Sequence, residues 1–436
     1  MKKTLITIMT LTVVSANAQN AWTMQQCMQY AVENNHEVKR AELELDSYKA
    51  QKSGAIGNFL PSIDAGVGAQ YNFGRAIDPE TNTYTDVSTF YNGYSLSASL
   101  PVFDGFGRLH ALKAAKASVL MGRASLRQQQ DQTALNVLQA FTNVAYYEGL
   151  VKMAEEKVQE TTLLLKQTQV LEEVGRKSAA DVAQVESQKA EADYELTHQQ
   201  NLLASALLEL KKDMNFPLAD SLRLSINEIT ARDARDYGSL PTNRNLVPEL
   251  QQAYHSIQVS RHEWRQARAS LLPSLSLSAG LSTTYYKTLQ SDNAASFSNQ
   301  LKNNMGEYIG ATLSIPLFNR LQTITSIRRA KNNYKMAREA YEQKQLELEK
   351  LSREAWLDWQ GYLKQTEQML HKVEADSLAH QLTRRQFEEG LSTAIDLRTT
   401  SAQLLNSKAT LLQCQLMAMV KEQLVRYYNG ETIWTE

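Results

Sequence analysis

Proline and glycine are scarce in this chain, at eight and 18 among 436 residues. So few helix breakers leave room for helices of unusual length. Only two cysteines are present, Cys27 and Cys414, which excludes a disulfide-stapled scaffold. They are either bridged or two buried thiols, and the sequence leaves both open. Beyond the N-terminal segment no run of 18 apolar residues occurs, so no transmembrane helix is available. An excess of one charge is missing as well, with 46 basic residues against 47 acidic ones. That balance argues against nucleic acid and against a polybasic membrane contact. The seven histidines show no metal-ligand spacing; His255 and His262 read as a solvated pair on one helix face. Gly105-Phe106-Gly107 lacks the third glycine and the βαβ setting of a dinucleotide loop. No nucleophile–base or paired-carboxylate arrangement stands out. No enzyme activity, metal or cofactor is expected, and a membrane route stays open only through β-strands, whose alternation hides from hydropathy.

What is present begins with a signal-like segment. Lys2-Lys3 precede an apolar stretch from Leu5 to Val14, and Ala16-Asn17-Ala18 forms an A-x-A site, so residues 1–18 are expected to be removed after Ala18.

The rest of the chain is said twice. Leu60-Pro61-Ser62 returns as Leu272-Pro273-Ser274, 212 positions later. Pro101-Val102-Phe103-Asp104 returns as Pro316-Leu317-Phe318-Asn319, and Gly175, Ala179 and Asp181 as Gly390, Ala394 and Asp396, each 215 positions later. A period of that length is far beyond the roughly 20–50 residues of solenoid repeats. It implies two copies of one long unit, at 19–215 and 248–436, joined by a linker at 216–247.

Within each copy a helical stretch, Trp22 to about Phe59 and about Pro248 to Leu271, ends at Leu-Pro, because the residue before proline is driven out of the α region. Two alternating strands follow. Ile63, Ala65, Val67, Ala69 and Tyr71 oppose Asp64, Gly66, Gly68 and Gln70; on the return strand Tyr94, Leu96, Ala98, Leu100 and Val102 oppose serines 95, 97 and 99. The second copy repeats the pattern around Leu275–Tyr285 and Ile309–Ile315. Such alternation suits a half-buried soluble sheet, but a small, uncharged polar face also suits the lumen of a membrane barrel. Tyr71, Phe73, Tyr94, Phe103, Tyr285 and Phe318 gather at strand ends, as interface aromatics do. The inter-strand segments, about Gly74 to Phe90 and Lys287 to Met305, read as solvent-exposed loops.

After each strand pair comes a proline-free stretch, about Gly105 to Val174 in the first copy. Val137, Val144, Val151, Val158 and Leu165 recur every seven residues, as do Tyr341, Leu348, Ala355, Tyr362 and Met369. Sustained heptads predict coiled-coil packing, and about 70 helical residues make a rod of roughly 105 Å. Asn319 is the expected N-cap of the second arm. Gly175 and Gly390 terminate the arms, and shorter helices return over about Ala179–Met214 and Ala394–Tyr428. The fold class is mostly α with a small antiparallel β part, internally duplicated, with four strands per chain. Four strands cannot close a membrane barrel, so the strands must be shared among copies.

The order Trp22-Thr23-Met24, Asn34-Asn35, Leu-Pro-Ser strand pair, Pro-Val-Phe-Asp, long helix and Gly-x5-Asp turn, given twice and closing at Asn429-Gly430 and Trp434, resembles the TolC-like outer-membrane efflux proteins. The resemblance covers Trp22 to Trp434. It implies a homotrimer sharing a twelve-stranded barrel in outer-membrane lipid, continued by a helical tunnel in the periplasm. It also implies a periplasmic adaptor and an inner-membrane pump as partners, in an efflux or type I secretion system. By the same resemblance the tunnel narrows at the glycine turns, where Asp181 and Asp396 would form three-fold acidic rings; helix-dipole acids are the other reading. Close relatives carry a second acid where this chain has Thr399. Arg176, Lys177, Ser178, Leu391, Ser392 and Thr393 flank Gly175 and Gly390 and are the candidates for adaptor contact. An exported trimeric coiled-coil or adhesin-like protein with a β anchor is the alternative.

Overall fold

The computed structural model describes residues 21–78, 82–86, 88–225, 246–289 and 295–434. The expected signal segment lies outside the described residues, as does 226–245 of the expected linker. The chain divides into two compact units. One is built from Glu42–Ser125 and Glu249–Gln345, the other from Met1–Ala41, Leu126–Pro248 and Leu346–Glu436. Two helices of 67 residues, α3 (Gly107–Glu173) and α7 (Gln322–Glu388), contribute to both.

The first of these units holds α2 (His36–Gly57), α5 (Pro248–Ala269) and a four-stranded antiparallel sheet. Its order is β1 (Ser62–Asn72), β4 (Thr89–Asp104), β5 (Ser274–Thr288), β6 (Gly306–Ser314). The two copies therefore meet at the β4–β5 pairing, and β1 and β6 are the edges. The expected loops carry structure of their own. A ribbon of β2 (Arg75–Asp78) and β3 (Thr83–Asp86) stands in the first, and α6 (Phe297–Asn303) in the second. α6 is tied to β5 by Gln300, whose side chain accepts from Tyr286 N–H and donates to Tyr286 O, both at 2.9 Å. Asparagine and serine in these segments serve caps and turns rather than only solvent.

In the other unit, α1 (Met24–Asn34) opens with a capping box between Thr23 and Gln26. The single opening helix expected from Trp22 to Phe59 is two helices. Asn35 takes extended backbone, ψ 138°; its Oδ1 accepts from Glu37 N–H at 2.8 Å and its Nδ2 donates to Asp213 O at 2.8 Å. A short polar side chain that caps the next helix and binds a neighbour outweighs helix continuation. Trp22, Tyr30 and Phe216 form an edge-to-face cluster, with centroids 5.4–5.8 Å apart, beside the end of α4 (Ala179–Met214). α8 (Ala394–Tyr428) leads to Trp434, whose indole N–H donates to buried Asp131 at 2.8 Å.

The heptads hold in part. Val137, Val144 and Val151 are buried, whereas Val158 and Leu165 are half-buried and the seam moves to Ala154, Thr161 and Thr168. On α7, Leu348 and Ala355 are buried, but Ser352, Trp359, His380 and Phe387 form the longer seam. A 3.6-residue helix drifts about 20° per heptad, so one phase does not stay inside over such lengths. His255 and His262 are not a solvated pair: His262 stacks on His110 at 5.8 Å and His255 leans on Tyr254. Cys27 and Cys414 are both buried and free, and burial pushes the Cys27 thiol up to about 12.

Candidate functional site

Two places carry the geometry of function, one in each unit. In the sheet, antiparallel register aligns the alternation of all four strands. Ile63 pairs with Ala98, Ala98 with Ala279 and Ala279 with Ile309, so one face is apolar throughout its middle. The opposite face pairs Asp64 with Ser97, Ser97 with Gly280 and Gly280 with Tyr308. The apolar face is bare: Val67 is 72% exposed and Ile309 90%. The edge strands β1 and β6 are exposed on both faces, and a sheet that leaves a continuous apolar face bare lacks the core of a soluble fold and matches a surface turned to lipid. On the polar face Tyr308 lies over Gly280, where a Cβ would come within 2.5 Å of its ring. At Val102 the strict alternation is interrupted, because the β4–β5 register shifts between Pro101 and Phe103. Proline has no N–H for the ladder, and a bulge accommodates it.

Of the six aromatics expected at the interface, Tyr71, Phe73 and Tyr285 lie toward one end of the strands, Phe103 and Phe318 toward the other, and Tyr94 is the sixth residue of β4. Tyr71 packs on Phe73 and Phe90; Tyr285 reaches Phe90 and, with Tyr94, Phe297 on α6. At the helical end Phe103 packs on Phe106 at 5.3 Å, and Phe318 stands 79% exposed. Phe90, Phe106 and Phe297 belong to these groups but were missed in the sequence, because they lie in segments that read as loop or helix start.

At the turns of the other unit, Gly175 and Gly390 take φ +70° and +81°, and a Cβ on either would meet nothing within 4 Å. Glycine is required there by conformation alone. The chain closes with Arg176 N–H to Leu171 O at 2.8 Å and Leu391 N–H to Gln386 O at 2.7 Å, the six-to-one bonds of a Schellman turn. Arg176 and Leu391 are exposed, Ser392 is half-buried, and the Lys177 ammonium sits 3.8 Å from the Phe387 ring.

Ser178 and Thr393 are N-caps, each in a capping box with the aspartate three residues on. Asp181 Oδ2 accepts from Ser178 N–H at 3.0 Å and from its hydroxyl at 2.8 Å. Asp396 Oδ2 accepts from Thr393 N–H at 3.0 Å, its hydroxyl at 2.6 Å and Ser392 at 3.3 Å. For Asp181 the Ser178 backbone bond and then its hydroxyl hold the carboxyl below its usual range; for Asp396 the Thr393 hydroxyl leads, then its N–H. Both aspartates thus sit as first-turn acids of their helices. Thr399 is exposed and its hydroxyl donates to Ile395 O at 2.9 Å.

Behind the turns Leu164, Val185, Phe387, Ala394 and Leu397 form a buried cluster. A polar layer follows, which the sequence did not reveal. Glu160 accepts from Lys157 at 2.9 Å and bonds His380 Nε2 at 2.7 Å, while Lys157 also donates to Ser401 at 2.5 Å. Burial alone would raise the Glu160 carboxyl, but the His380 bond and the Lys157 charge bring it down to about 2. Among the described residues no group of three or more His, Cys, Asp and Glu side chains could hold a metal.

Comparison with known proteins bears on the same two features. A family model described as outer membrane efflux protein matches residues 27–215 and 243–426. The probable efflux pump outer membrane protein TtgC of Pseudomonas putida is 26% identical over 280 residues, 61% of this chain and 56% of TtgC. The match therefore spans little more than half of that relative's length. The alkaline protease secretion protein AprF of Pseudomonas aeruginosa is 21% identical over 423 residues, 92% of this chain and 82% of AprF. In fold, the crystal structure of CusC, described as forming a transmembrane channel, superposes with a TM-score of 0.82 at 16% identity, over 94% of this chain and 92% of that one. With both copies matched and a sheet whose bare face is apolar, the chain belongs to the outer membrane efflux protein family.

Proposed function

We propose that this protein is the outer-membrane export duct of a tripartite efflux pump or a type I secretion system. It passes substrate from an inner-membrane pump, through a periplasmic helical tunnel, to the exterior, and does no chemistry of its own. The observation that carries this is the sheet: a bare apolar face, a small polar face opposite and, among the described residues, two unpaired edges, β1 and β6. An open edge in lipid costs several kcal/mol for each unsatisfied backbone group. Cyclic pairing of β6 with the β1 of the next copy removes both edges, and three copies give twelve strands. The division into two copies, 19–215 and 248–436, with a cleaved segment at 1–18, belongs to the same reading.

The exposed turns at Gly175 and Gly390, with Arg176, Lys177, Leu391 and Ser392, are the surface offered to a periplasmic adaptor; Ser178 and Thr393 hold its shape. Asp181 and Asp396 use Oδ2 for the caps, which leaves Oδ1 of each to line a cation-binding ring in a trimer, with Thr399 as a neutral neighbour. Asp396→Asn is expected to lower cation block of single-channel current, and unchanged currents would remove the gate role. The duct itself is tested by native mass spectrometry of protein extracted from outer membranes in mild detergent. A trimer is expected, with adaptor or pump retained. A monomer that persists across gentle detergents refutes the shared barrel.

A further inference from the structure

The near-neutral charge of the whole chain conceals a strongly basic zone where the sheet meets its helices. From Leu317 to Arg338 there are six basic residues and no acidic one. Ile324, Arg328, Lys331, Lys335 and Arg338 recur at steps of four and three, which places them on one face of α7. That face is exposed, whereas Ile327, Ala330, Tyr334 and Ala337 on the adjoining face are half-buried. α5 adds Arg261, Arg265 and Arg268 at steps of four and three. Arg265 and Lys113 lie close enough to His110 and His262 that, after burial, their charges push both imidazoles below the usual range. Among the described residues, Arg328, Arg329, Lys331, Arg265 and Lys113 join no salt bridge, in contrast to Arg108 with Asp104 and Arg338 with Glu342.

The order along the chain matters as much as the charge. Leu317 is 93% exposed, Leu321 58% and Ile324 52%; Arg328 follows one turn later. Trp264 stacks on Tyr334 at 5.7 Å, with Arg268 and Lys331 cations 5.8 and 5.9 Å from its ring. Arg320 apart, the exposed apolar residues come first along the chain and the cations follow with the Trp264–Tyr334 pair among them, a passage from apolar side chains to aromatics and cations together that suits the edge of a bilayer. At 1.5 Å per residue Arg328 lies about 6 Å beyond Ile324, comparable with the depth of a headgroup layer.

We infer that the start of α7, with α5 and the start of α3, binds anionic phospholipid headgroups at the inner surface of the membrane that the sheet crosses. This rests on the reading of the sheet as a membrane-spanning element. A basic side chain at an anionic surface is worth about 1 kcal/mol, or about fivefold in partition. Native mass spectrometry of the full chain with equimolar phosphatidylglycerol and phosphatidylcholine reads the preference directly. Wild type should retain phosphatidylglycerol preferentially, R328Q/R329Q/K331Q should lose that preference by tenfold or more, and K152Q/K166Q/K350Q, in the other unit, should keep it. Equal uptake of both lipids by wild type, or a preference that survives in R328Q/R329Q/K331Q, overturns the contact. An altered anion permeability in planar bilayers with unchanged lipid preference would place the stripe on the conduit wall and overturn it too. Failure of wild type to enter bilayers or conduct at all would instead refute the membrane reading itself.

Discussion

Phe387 is the side chain on which the two glycine turns depend. It is 1% exposed, packs with Leu164, Val185, Ala394 and Leu397, and takes the Lys177 ammonium on its ring at 3.8 Å. It thus joins the turn at Gly175 to the turn at Gly390. Phe387→Ala removes a fully buried ring, at a cost of about 3–5 kcal/mol for transfer and cavity together. The cation–π contact accounts for about 0.5–1 kcal/mol of this, since Lys177 is half in solvent. Phe387→Leu keeps most of the apolar volume and should cost less than about 1.5 kcal/mol. Lys177→Gln should cost only the cation–π part. Hydrogen exchange of amides near Val185 and Leu397 in detergent resolves the three. Phe387→Ala is expected to lower protection by about a hundredfold or more, because each 1.4 kcal/mol is tenfold. A loss below about tenfold, or equal losses for Phe387→Ala and Phe387→Leu, would refute the assignment of this ring as the clamp.

The caps at Ser178 and Thr393 give a second prediction. Ser178→Ala and Thr393→Ala should each cost about 1 kcal/mol, read as faster exchange confined to the first turn of α4 or α8. Asp181 and Asp396 have folded pKa values below the ordinary 3.8, so their contribution is complete above that pH and is lost as pH falls beneath it. Amide exchange in the first turns of α4 and α8, taken relative to the intrinsic rate at each pH, should therefore accelerate below about pH 4 and be insensitive to pH above it. Glu160 follows the same sign: its stabilisation is full above its ordinary 4.5 and disappears as pH falls toward about 2. Glu160→Gln should destabilise the unit at neutral pH by about 1–3 kcal/mol and flatten the acid limb of its urea-midpoint profile. A limb that keeps its slope in the variant would assign it to other carboxylates.

The parts of the fold legible in the sequence are those set by local rules. Gly-x5-Asp turns, Leu-Pro helix ends and two-residue alternation each act within a few residues, and α4 and α8 run as expected over Ala179–Met214 and Ala394–Tyr428. Where a partner decides, reading failed. Asn35 breaks a helix because Asp213 O, 178 positions away, takes its amide. His380 sits in a buried seam because Glu160 bonds it, and nothing near His380 announces this. The apolar stripe of a 67-residue helix changes phase as its neighbours change, so Val158 and Leu165 lose the inner position that their spacing assigned. The aspartates were visible as landmarks, yet spacing could not separate a cap from a channel ring, because both uses place an acid in the first turn.

The duplicated corner between sheet and long helix allows an exchange experiment whose outcome is asymmetric. In the first copy Gly105 and Phe106 take φ +67° and +68°; in the second, Arg320 and Leu321 take +57° and +66°. Asp104 Oδ2 accepts from Arg108 N–H at 2.8 Å, and Asn319 Oδ1 from Thr323 N–H at 3.4 Å, so the two corners are one device. Arg320 nevertheless holds a left-handed conformation that costs a residue with a Cβ about 1–2 kcal/mol. Arg320→Gly removes that strain, and the greater freedom of glycine in the unfolded chain returns about 0.4–1 kcal/mol of it. The net expectation is a gain of up to about 1.6 kcal/mol. The reverse change meets more than strain: a Cβ on Gly105 would lie 2.6 Å from Ala269 O and 2.7 Å from Leu272 Cβ. Gly105→Arg must push α5 and its Leu-Pro end away and should cost well above the ~1–2 kcal/mol of the dihedral alone. Urea midpoints of the two variants should move in opposite directions. Equal losses would mean that the second corner has come to need its arginine in place, and equal tolerance would mean that α5 does not press on the first corner as closely as 2.6 Å implies.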